Sequence, residues 1–341
     1  MMRRFVKIFL DIFGILLCGI LIFSIALVWR LNSGPISLEF LKPQLVNALT
    51  PDDQSYKLEI REPVLRWQGW NTNIFDITLR GTKLTSNKLG LSLNAPLITM
   101  GLHAPDLLRM KLTAKHIILI KTKIDANHGF SPIKFHKNAN AAITEAIKNT
   151  FFSNDNIRHF SKLKFIEFRN SEISLYKKKS NSSLELEEFN AKFSQTDKAW
   201  AVNLRSKLGN TANDPRFSLS LQNRKMQNEI TGEGEFKNIP TTVAREFIPV
   251  LNQGIDIETG LNGTLKFSWD PHNHRTHFST LINALNGKIY HKDLFFNPVI
   301  FEKLNAGITY DTDQPSPING KLNIEANQLN FSATINYDVH T

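Results

Sequence analysis

Alternation of apolar and polar residues is the dominant pattern of this chain after residue 55. A period of two predicts β-strands that place their apolar side chains on one face and their polar side chains on the other. Five clear examples are YKLEIR (56–61), SEISLY (171–176), FSLSLQ (217–222), LKFSWD (265–270) and LNFSATINY (329–337). In LELEEFNAKF (184–193) the apolar positions alternate through Leu184 and Leu186 and then change phase to Phe189, Ala191 and Phe193.

Short polar segments separate these strands and predict how they are connected. The segments are NTANDP (210–215), QNRKMQN (222–228), DPHNH (270–274) and DTDQPSP (311–317). Connections of this length favour antiparallel hairpins in a meander. A repeating strand–helix–strand pattern is absent from the sequence, so we expect no parallel sheet.

Helical patterns are few, and they predict caps on a long sheet. KPQLVNAL (42–49) carries Pro43 at a helix-start position, ANAAITEAIKNTFF (139–152) is amphipathic, and IPTTVAREFIPVLNQ (239–253) predicts a short helix broken near Pro249. The predicted fold is therefore mainly β, a long antiparallel sheet with a few short helices. Its apolar face could close on itself as a sandwich, or a single curled sheet could form a groove filled by lipid chains. Alternation is the same in both and does not distinguish them.

A long apolar run near the N-terminus predicts a membrane anchor. From Ile8 to Trp29 it contains only Asp11 as a charged residue, and about 22 residues at about 1.5 Å each span roughly 33 Å. A cleaved signal peptide is the alternative, but the run continues past the small-x-small sequence Ser24-Ile25-Ala26. We therefore expect an uncleaved transmembrane signal anchor over 8–30.

Flanking charge predicts the orientation of this anchor. Arg3, Arg4 and Lys7 precede the span, whereas Arg30 alone follows it closely. Positive charge is retained on the cytoplasmic side, so residues 1–7 are expected in the cytoplasm and residues 31–341 beyond the membrane. In a bacterial chain that compartment is the periplasm.

The segment VLRWQGW (64–70) lies soon after the span and contains two of the five tryptophans. Regular alternation puts Leu65 and Trp67 on the apolar face and Trp70 on the other, next to a turn. A shared stacking platform for the two indole rings is therefore not expected. Trp70 either packs on the helix predicted at 42–49 or reaches lipid headgroups.

Composition adds constraints on function. The chain has 24 phenylalanines against five tyrosines, so most of its aromatic surface lacks a polar group and needs burial in protein or lipid. The net charge is +10, and a lysine-rich stretch over 107–137 indicates either a solvated face or contact with lipid headgroups. No nucleic-acid motif accompanies it. Cys18, the single cysteine, lies in the apolar run and excludes an internal disulfide.

Candidate catalytic and metal-binding patterns are weak. His272, His274 and His277 have a spacing that zinc can use, but the flanking alternation favours solvent-facing histidines at a turn. Nucleotide-binding glycine motifs and the serine-hydrolase elbow do not occur. We therefore expect no enzymatic activity and no cofactor.

The order of several segments resembles the AsmA-like family of bacterial envelope proteins, which includes TamB and YhdP. After the anchor these segments are SGPISLEFLKPQLVNAL (33–49), YKLEIREPVLRWQGW (56–70), IFDITLRGTKL (74–84), APLITMGL (95–102), FSLSLQN (217–223), IPTTVAREFIPVLNQ (239–253), GLNGTLKFSWD (260–270) and LNGKIY (285–290). Members of this family usually run much longer, so the chain is expected to match the N-terminal portion of such a protein.

The resemblance implies an inner-membrane protein whose β-groove carries phospholipid acyl chains toward the outer membrane. No catalytic residues are implied. Strand alternation selects the residues expected to line the apolar face: Leu65, Trp67, Phe217, Leu219, Leu265, Phe267, Trp269, Leu329, Phe331 and Ile335. The alternative function is a non-enzymatic scaffold for outer-membrane biogenesis that acts through protein contacts at exposed sheet edges.

Overall fold

Eighteen strands form one hydrogen-bonded sheet in the computed structural model of this protein. The structure describes residues 18–19, 21–22, 25–26, 29–30, 33–49, 56–67, 74–86, 90–103, 114–126, 163–177, 182–196, 199–209, 211, 213–224, 229–247, 255–270, 275–291, 297–312, 318–326 and 329–337. The mainly β fold predicted from the alternation is confirmed.

The strands follow the chain in order. The first nine are β1 (Ile36–Ser37), β2 (Lys57–Glu59), β3 (Glu62–Trp67), β4 (Ile74–Ser86), β5 (Leu91–His103), β6 (Ala114–Ile120), β7 (Lys123–Ala126), β8 (Phe165–Lys177) and β9 (Ser182–Gln195). The second nine are β10 (Ala199–Leu208), β11 (Arg216–Arg224), β12 (Glu229–Pro240), β13 (Ile255–Glu258), β14 (Gly260–Asp270), β15 (Arg275–His291), β16 (Val299–Asp311), β17 (Ile318–Ala326) and β18 (Leu329–Tyr337).

Most neighbours in the sheet are antiparallel and consecutive in the chain. From β8 to β12 and from β14 to β18, each strand pairs with the next. The strands that flank the predicted turns at 210–215, 222–228, 270–274 and 311–317 are paired in this way. In three places two successive strands lie end to end and pair with the same long neighbour. These are β2 and β3 with β4, β6 and β7 with β5, and β13 and β14 with β15.

One pairing differs from the expected meander, because β8 runs parallel to β6 and β7. A parallel neighbour requires the chain to return to the same end of the sheet before the next strand begins. Ala126 and Leu163 are far enough apart in the sequence for such a crossover. The helix predicted at 139–152 falls in this interval and lies outside the described residues.

Two short helices pack on the sheet in the described residues after Ser33. Helix α1 (Lys42–Leu49) follows a 3₁₀ turn (Glu39–Leu41), and helix α2 (Thr241–Phe247) follows Pro240. Both predicted helices are confirmed over these residues, with Pro43 in the first turn of α1, where the missing N–H costs no helical hydrogen bond. The main chain of Thr241 donates to the Thr259 carbonyl at 3.2 Å, which ties the start of α2 to the break between β13 and β14.

Buried apolar residues form two clusters, one beneath each helix. The first core cluster consists of Leu38, Leu45, Ile60, Ile77, Leu79, Leu102, Ala114 and Leu163. The second core cluster consists of Leu261, Ala284, Phe301 and Leu304, with Ala244 of α2 packed against it. Burying a leucine such as Leu45, which is 5% exposed, contributes about 1.5–3 kcal/mol.

A line of irregular residues crosses the sheet from β4 to β15. Its members have positive φ angles, and we call them the bulge seam: Gly81, Lys121, Asn170, Glu188, Asn238 and Asn286. Side chains bind the main-chain groups that the irregularity frees. Asn190 Oδ1 accepts from the Asn170 N–H at 3.0 Å, and Asn262 Oδ1 accepts from the Asn238 N–H at 2.9 Å. Each bulge changes the strand's phase, which explains the shift seen in the sequence of β9.

The predicted anchor at 8–30 lies mostly outside the described residues. Eight residues of it are described, and all eight are helical: Cys18, Gly19, Leu21, Ile22, Ile25, Ala26, Trp29 and Arg30. Their large apolar side chains are exposed, with Trp29 at 74%. Among the described residues, no helix reaches the length and apolarity needed to cross a membrane.

Candidate apolar binding face

Ladder register aligns apolar residues in a single row across the sheet. Residues directly opposite each other in a ladder point to the same face. Successive pairings give a row that we call the first apolar row: Leu65, Ile77, Met100, Ile117, Ile166, Phe193, Val202, Leu221, Gly232, Phe267, Phe278, Tyr310, Ile318 and Tyr337. Glycine at 232 is the only member without an apolar side chain.

A second apolar row lies beside it on the same face. Its members are Pro63, Leu79, Ile98, Leu119, Phe168, Ala191, Leu204, Leu219, Gly234, Leu265, Thr280, Ile308, Gly320 and Ile335. We call the side of the sheet that carries both rows the apolar face.

All ten residues predicted to line an apolar surface occupy positions of this face. Leu65 and Phe267 belong to the first apolar row, and Leu219, Leu265 and Ile335 to the second. The other five pair with further positions of the same face: Trp67 with Phe75, Phe217 with Phe236, Trp269 with Ile230, Leu329 with Ala326, and Phe331 with Ile324. The Trp67 and Phe75 rings stack with centroids 6.4 Å apart. Trp70 lies outside the described residues.

Burial along the apolar face is uneven. Near the helices it is covered by the two core clusters. Between them, from β10 to β14, Val202, Leu204, Leu219, Leu265 and Phe267 are all partly exposed. Trp200, on the same face of β10, is 8% exposed, so this stretch of the face is partly sheltered and partly open to solvent, and no second layer seals it.

The opposite face is polar over the same strands. The positions between the two apolar rows read Glu167, Lys192, Asn203, Ser220, Glu233, Lys266 and Ser279 from β8 to β15. Arg169 binds Glu167 at 2.9 Å, and this hydrogen bond lowers the pKa of the Glu167 carboxyl. Lys266 lies 3.8 Å from Glu233, in an exposed pair of little energetic value. We call this side the polar face.

One buried ionisable pair interrupts the polar face near the first core cluster. His116 Nε2 on β6 lies 3.6 Å from Asp76 Oδ1 on β4, across Gly101 of β5. The His116 ring also stacks on Phe165 at 5.1 Å, and Lys192 Nζ lies 4.9 Å from the Phe165 ring centroid. Burial lowers the pKa of His116, and the Asp76 carboxylate opposes this shift.

Several members of the apolar face were not singled out from the sequence. Ile117 and Ile166 belong to runs with apolar residues on both faces, so alternation does not assign them. Gly232 and Gly234 alternate with glutamates in TGEGEFK (231–237), and that alternation is the signal that could have found them.

Of the three histidines considered as zinc ligands, only His277 lies within the described residues. His277 lies on the polar face, half-exposed, with Nδ1 3.5 Å from Asp311 Oδ2. His272 and His274 are outside the described residues. Within the described part of the chain, no group of three histidine, cysteine, aspartate or glutamate residues is placed to hold a metal ion.

Comparison with known proteins adds no relationship to this picture. No protein-family model, curated protein or solved structure matches the chain.

Proposed function

We propose that this chain is a single-pass protein of the bacterial inner membrane that binds phospholipid acyl chains and assists lipid transport toward the outer membrane. In this proposal residues 8–30 are the anchor, the N-terminus is cytoplasmic, and the sheet is a curled β-groove in the periplasm lined by the apolar face. The protein is not an enzyme and takes no cofactor.

The observation that carries the proposal is the partly exposed stretch of the apolar face from β10 to β14. An apolar surface that crosses many strands is unfavourable in water unless something covers it. Acyl chains suit this surface because they are long, flexible and without polar groups. Further support comes from the resemblance to the AsmA-like family and from the exposed apolar side chains of Leu21, Ile22, Ile25 and Trp29.

Photocrosslinking to lipid tests this proposal. The full chain carries a photoreactive amino acid at Leu219 or Phe267 on the apolar face, and at their neighbours Ser220 or Lys266 on the polar face as matched controls. After expression in a bacterium and irradiation, we expect phospholipid adducts by mass spectrometry at the first two positions only. Adducts at all four positions alike, or at none, would contradict the proposal.

A second candidate function is a scaffold that recruits envelope proteins by strand addition. Among the described strands, β18 pairs with β17 alone, so its other edge is available to a partner strand. Protein adducts at β18, without lipid adducts at Leu219 or Phe267, would favour the scaffold.

A further inference from the structure

The two edges of the sheet differ in how readily they could accept another strand. The N-terminal edge consists of β1 and β2, which have two and three residues, and β2 carries Lys57 and Glu59 in an ion pair of 2.7 Å. The main-chain N–H of Leu38 donates to the Pro63 carbonyl at 2.8 Å, so the chain before α1 occupies part of the edge of β3. Short strands, charged residues and a covering segment are features that protect a sheet edge from further pairing.

The C-terminal edge has none of these features. Strand β18 pairs with β17 at all nine of its positions, and it has no second neighbour within the described part of the chain. In an antiparallel ladder every second residue directs its N–H and C=O groups to one neighbour, so the alternate groups of β18 point away from β17. Its sequence, LNFSATINY, contains no charged residue and no proline, and its ladder has no bulge. Strand β18 is therefore a long, regular and neutral edge of the kind that accepts another strand.

The sequence of β18 is also complementary to itself. When two copies pair antiparallel over their full length, Ala333 lies opposite Ala333 of the second copy. Phe331 then lies opposite Ile335, an aromatic and β-branched pair, and Ser332 lies opposite Thr334, a pair of hydroxyl residues. Both kinds of cross-strand pair favour association. The remaining pairs are Leu329 with Tyr337 and Asn330 with Asn336.

This pairing keeps the apolar faces of the two copies on the same side. Ala333 lies opposite Leu322 of β17, and the ladder continues through Ala306 and Ile282 on the apolar face. Opposed residues of a ladder point to the same side of the sheet, so Ala333 opposite its own copy joins apolar face to apolar face. A twofold axis between the two alanines relates the copies, which is the commonest symmetry of homodimers.

We propose that two copies of this chain associate through β18, in an antiparallel pair centred on Ala333, and so form one continuous sheet. A second copy of the chain is the strand that fills the C-terminal edge, and the apolar face extends across both copies. The inference is independent of lipid binding.

Disulfide formation tests the register of this pairing. The single cysteine, Cys18, is first replaced by serine, and the full chain is purified in mild detergent. Opposed Cα atoms in an antiparallel pair lie about 4.5–5.5 Å apart, a distance that a disulfide bridges, so Ala333→Cys should link into a dimer on mild oxidation. Position 330 lies about 20 Å from its own copy but opposite position 336. Asn330→Cys and Asn336→Cys should therefore not link alone and should link when they are co-expressed.

Charge substitution tests the association itself. Ser332→Glu with Thr334→Glu places two like-charge pairs across the proposed interface, whereas Ser332→Lys with Thr334→Glu places two opposite-charge pairs there. The substitution at Thr334, opposite Lys321 within the chain, is common to both variants. By analytical ultracentrifugation we expect the first variant to associate about tenfold more weakly than the second, because cross-strand repulsion replaces attraction in both pairs.

Two kinds of result would overturn the proposal. One is the absence of a linked dimer in Ala333→Cys, or linking as strong in Asn330→Cys or Asn336→Cys alone. The other is equal association of the two charge variants. Circular dichroism of each variant checks that the sheet is retained. Because none of these measurements involves lipid, their failure would leave the proposed lipid binding untouched.

Discussion

His116 on β6 reaches Asp76 on β4 across Gly101, a residue of the strand between them that has no side chain. Gly101 lies between Asp76 and His116, and a Cβ there would approach His116 Cε1 to 2.1 Å. Glycine at this position is therefore required for the imidazole to reach Asp76 and to stack on Phe165.

Gly101→Ala should destabilise the fold by about 1–3 kcal/mol, because the imidazole must move out of a packed position. Urea unfolding followed by tryptophan fluorescence measures the change. Gly234→Ala is the matched control, since its Cβ fits at 3.4 Å or more from every neighbour. Equal unfolding midpoints for the two variants would contradict the packing described for His116.

Stability should also depend on pH through His116. Burial lowers the pKa of the folded imidazole below 6.5, so the unfolded chain binds the proton more readily. The contribution of neutral His116 is therefore complete above about pH 6.5 and is lost as the pH falls through the lower folded pKa.

His116→Gln should reduce the loss of stability between pH 7 and pH 5, measured as the shift in urea midpoint. His277→Gln removes an imidazole from an exposed contact with Asp311 and should leave the pH dependence of His116 in place. A pH dependence identical in His116→Gln and the unsubstituted chain would show that burial of His116 does not govern it.

At the scale of the element, the bulge seam accounts for the change of phase within β9. The apolar residues before and after Glu188 occupy different alternate positions but face the same side of the sheet. In β9, Glu188 has a φ of 48° and lies where the ladder register shifts. Its side chain is exposed, so the constraint at this position lies in the backbone. The seam recurs in β8 at Asn170, beside a register shift between β8 and β9, whereas β10 has no positive-φ residue and its register with β9 shifts at Glu188.

Glu188→Val should destabilise the sheet by about 1–2 kcal/mol relative to Glu188→Gly, because a β-branched residue is unfavourable at positive φ. The unfolding midpoint in urea measures the difference. Glu233→Val is the control, at an exposed and regular position of β12 where valine is favoured. If both valine variants behave alike, the seam imposes no backbone constraint at Glu188.

Strand positions and their apolar phases could be predicted from the sequence, because alternation is a local property. The phase change in LELEEFNAKF was visible, but the φ of Glu188 that causes it was not. Parallel pairing of β8 was also missed, since it depends on where the chain returns between Ala126 and Leu163 rather than on the pattern of either strand.

At the scale of the molecule, the asymmetry of charge around the first apolar run predicts its topology. Arg3, Arg4 and Lys7 precede residues 8–30. Alkaline phosphatase fused after Thr341 is active only outside the cytoplasm, so it should be active in the unsubstituted fusion.

Replacing Arg3, Arg4 and Lys7 with glutamate should lower that activity severalfold, because the charge that holds the N-terminus inside is lost. Glutamate at Lys192, Lys237 and Lys266 on the polar face changes net charge equally and should leave the activity unchanged. Full activity in the N-terminal triple variant would argue against the proposed orientation.

The sequence by itself determined that this protein is mainly β, which residues alternate, and that Leu65, Phe217, Leu265 and Phe267 are apolar strand positions. These properties follow from the alternation of apolar and polar side chains at every second residue of a strand. Only the tertiary structure decided that strands far apart in the chain share one face, because register depends on which strands pair. It also decided that the apolar face is partly exposed between the two core clusters, and that the Phe267 ring covers Gly232. Burial and shape arise from contacts between distant residues, and no local pattern specifies them.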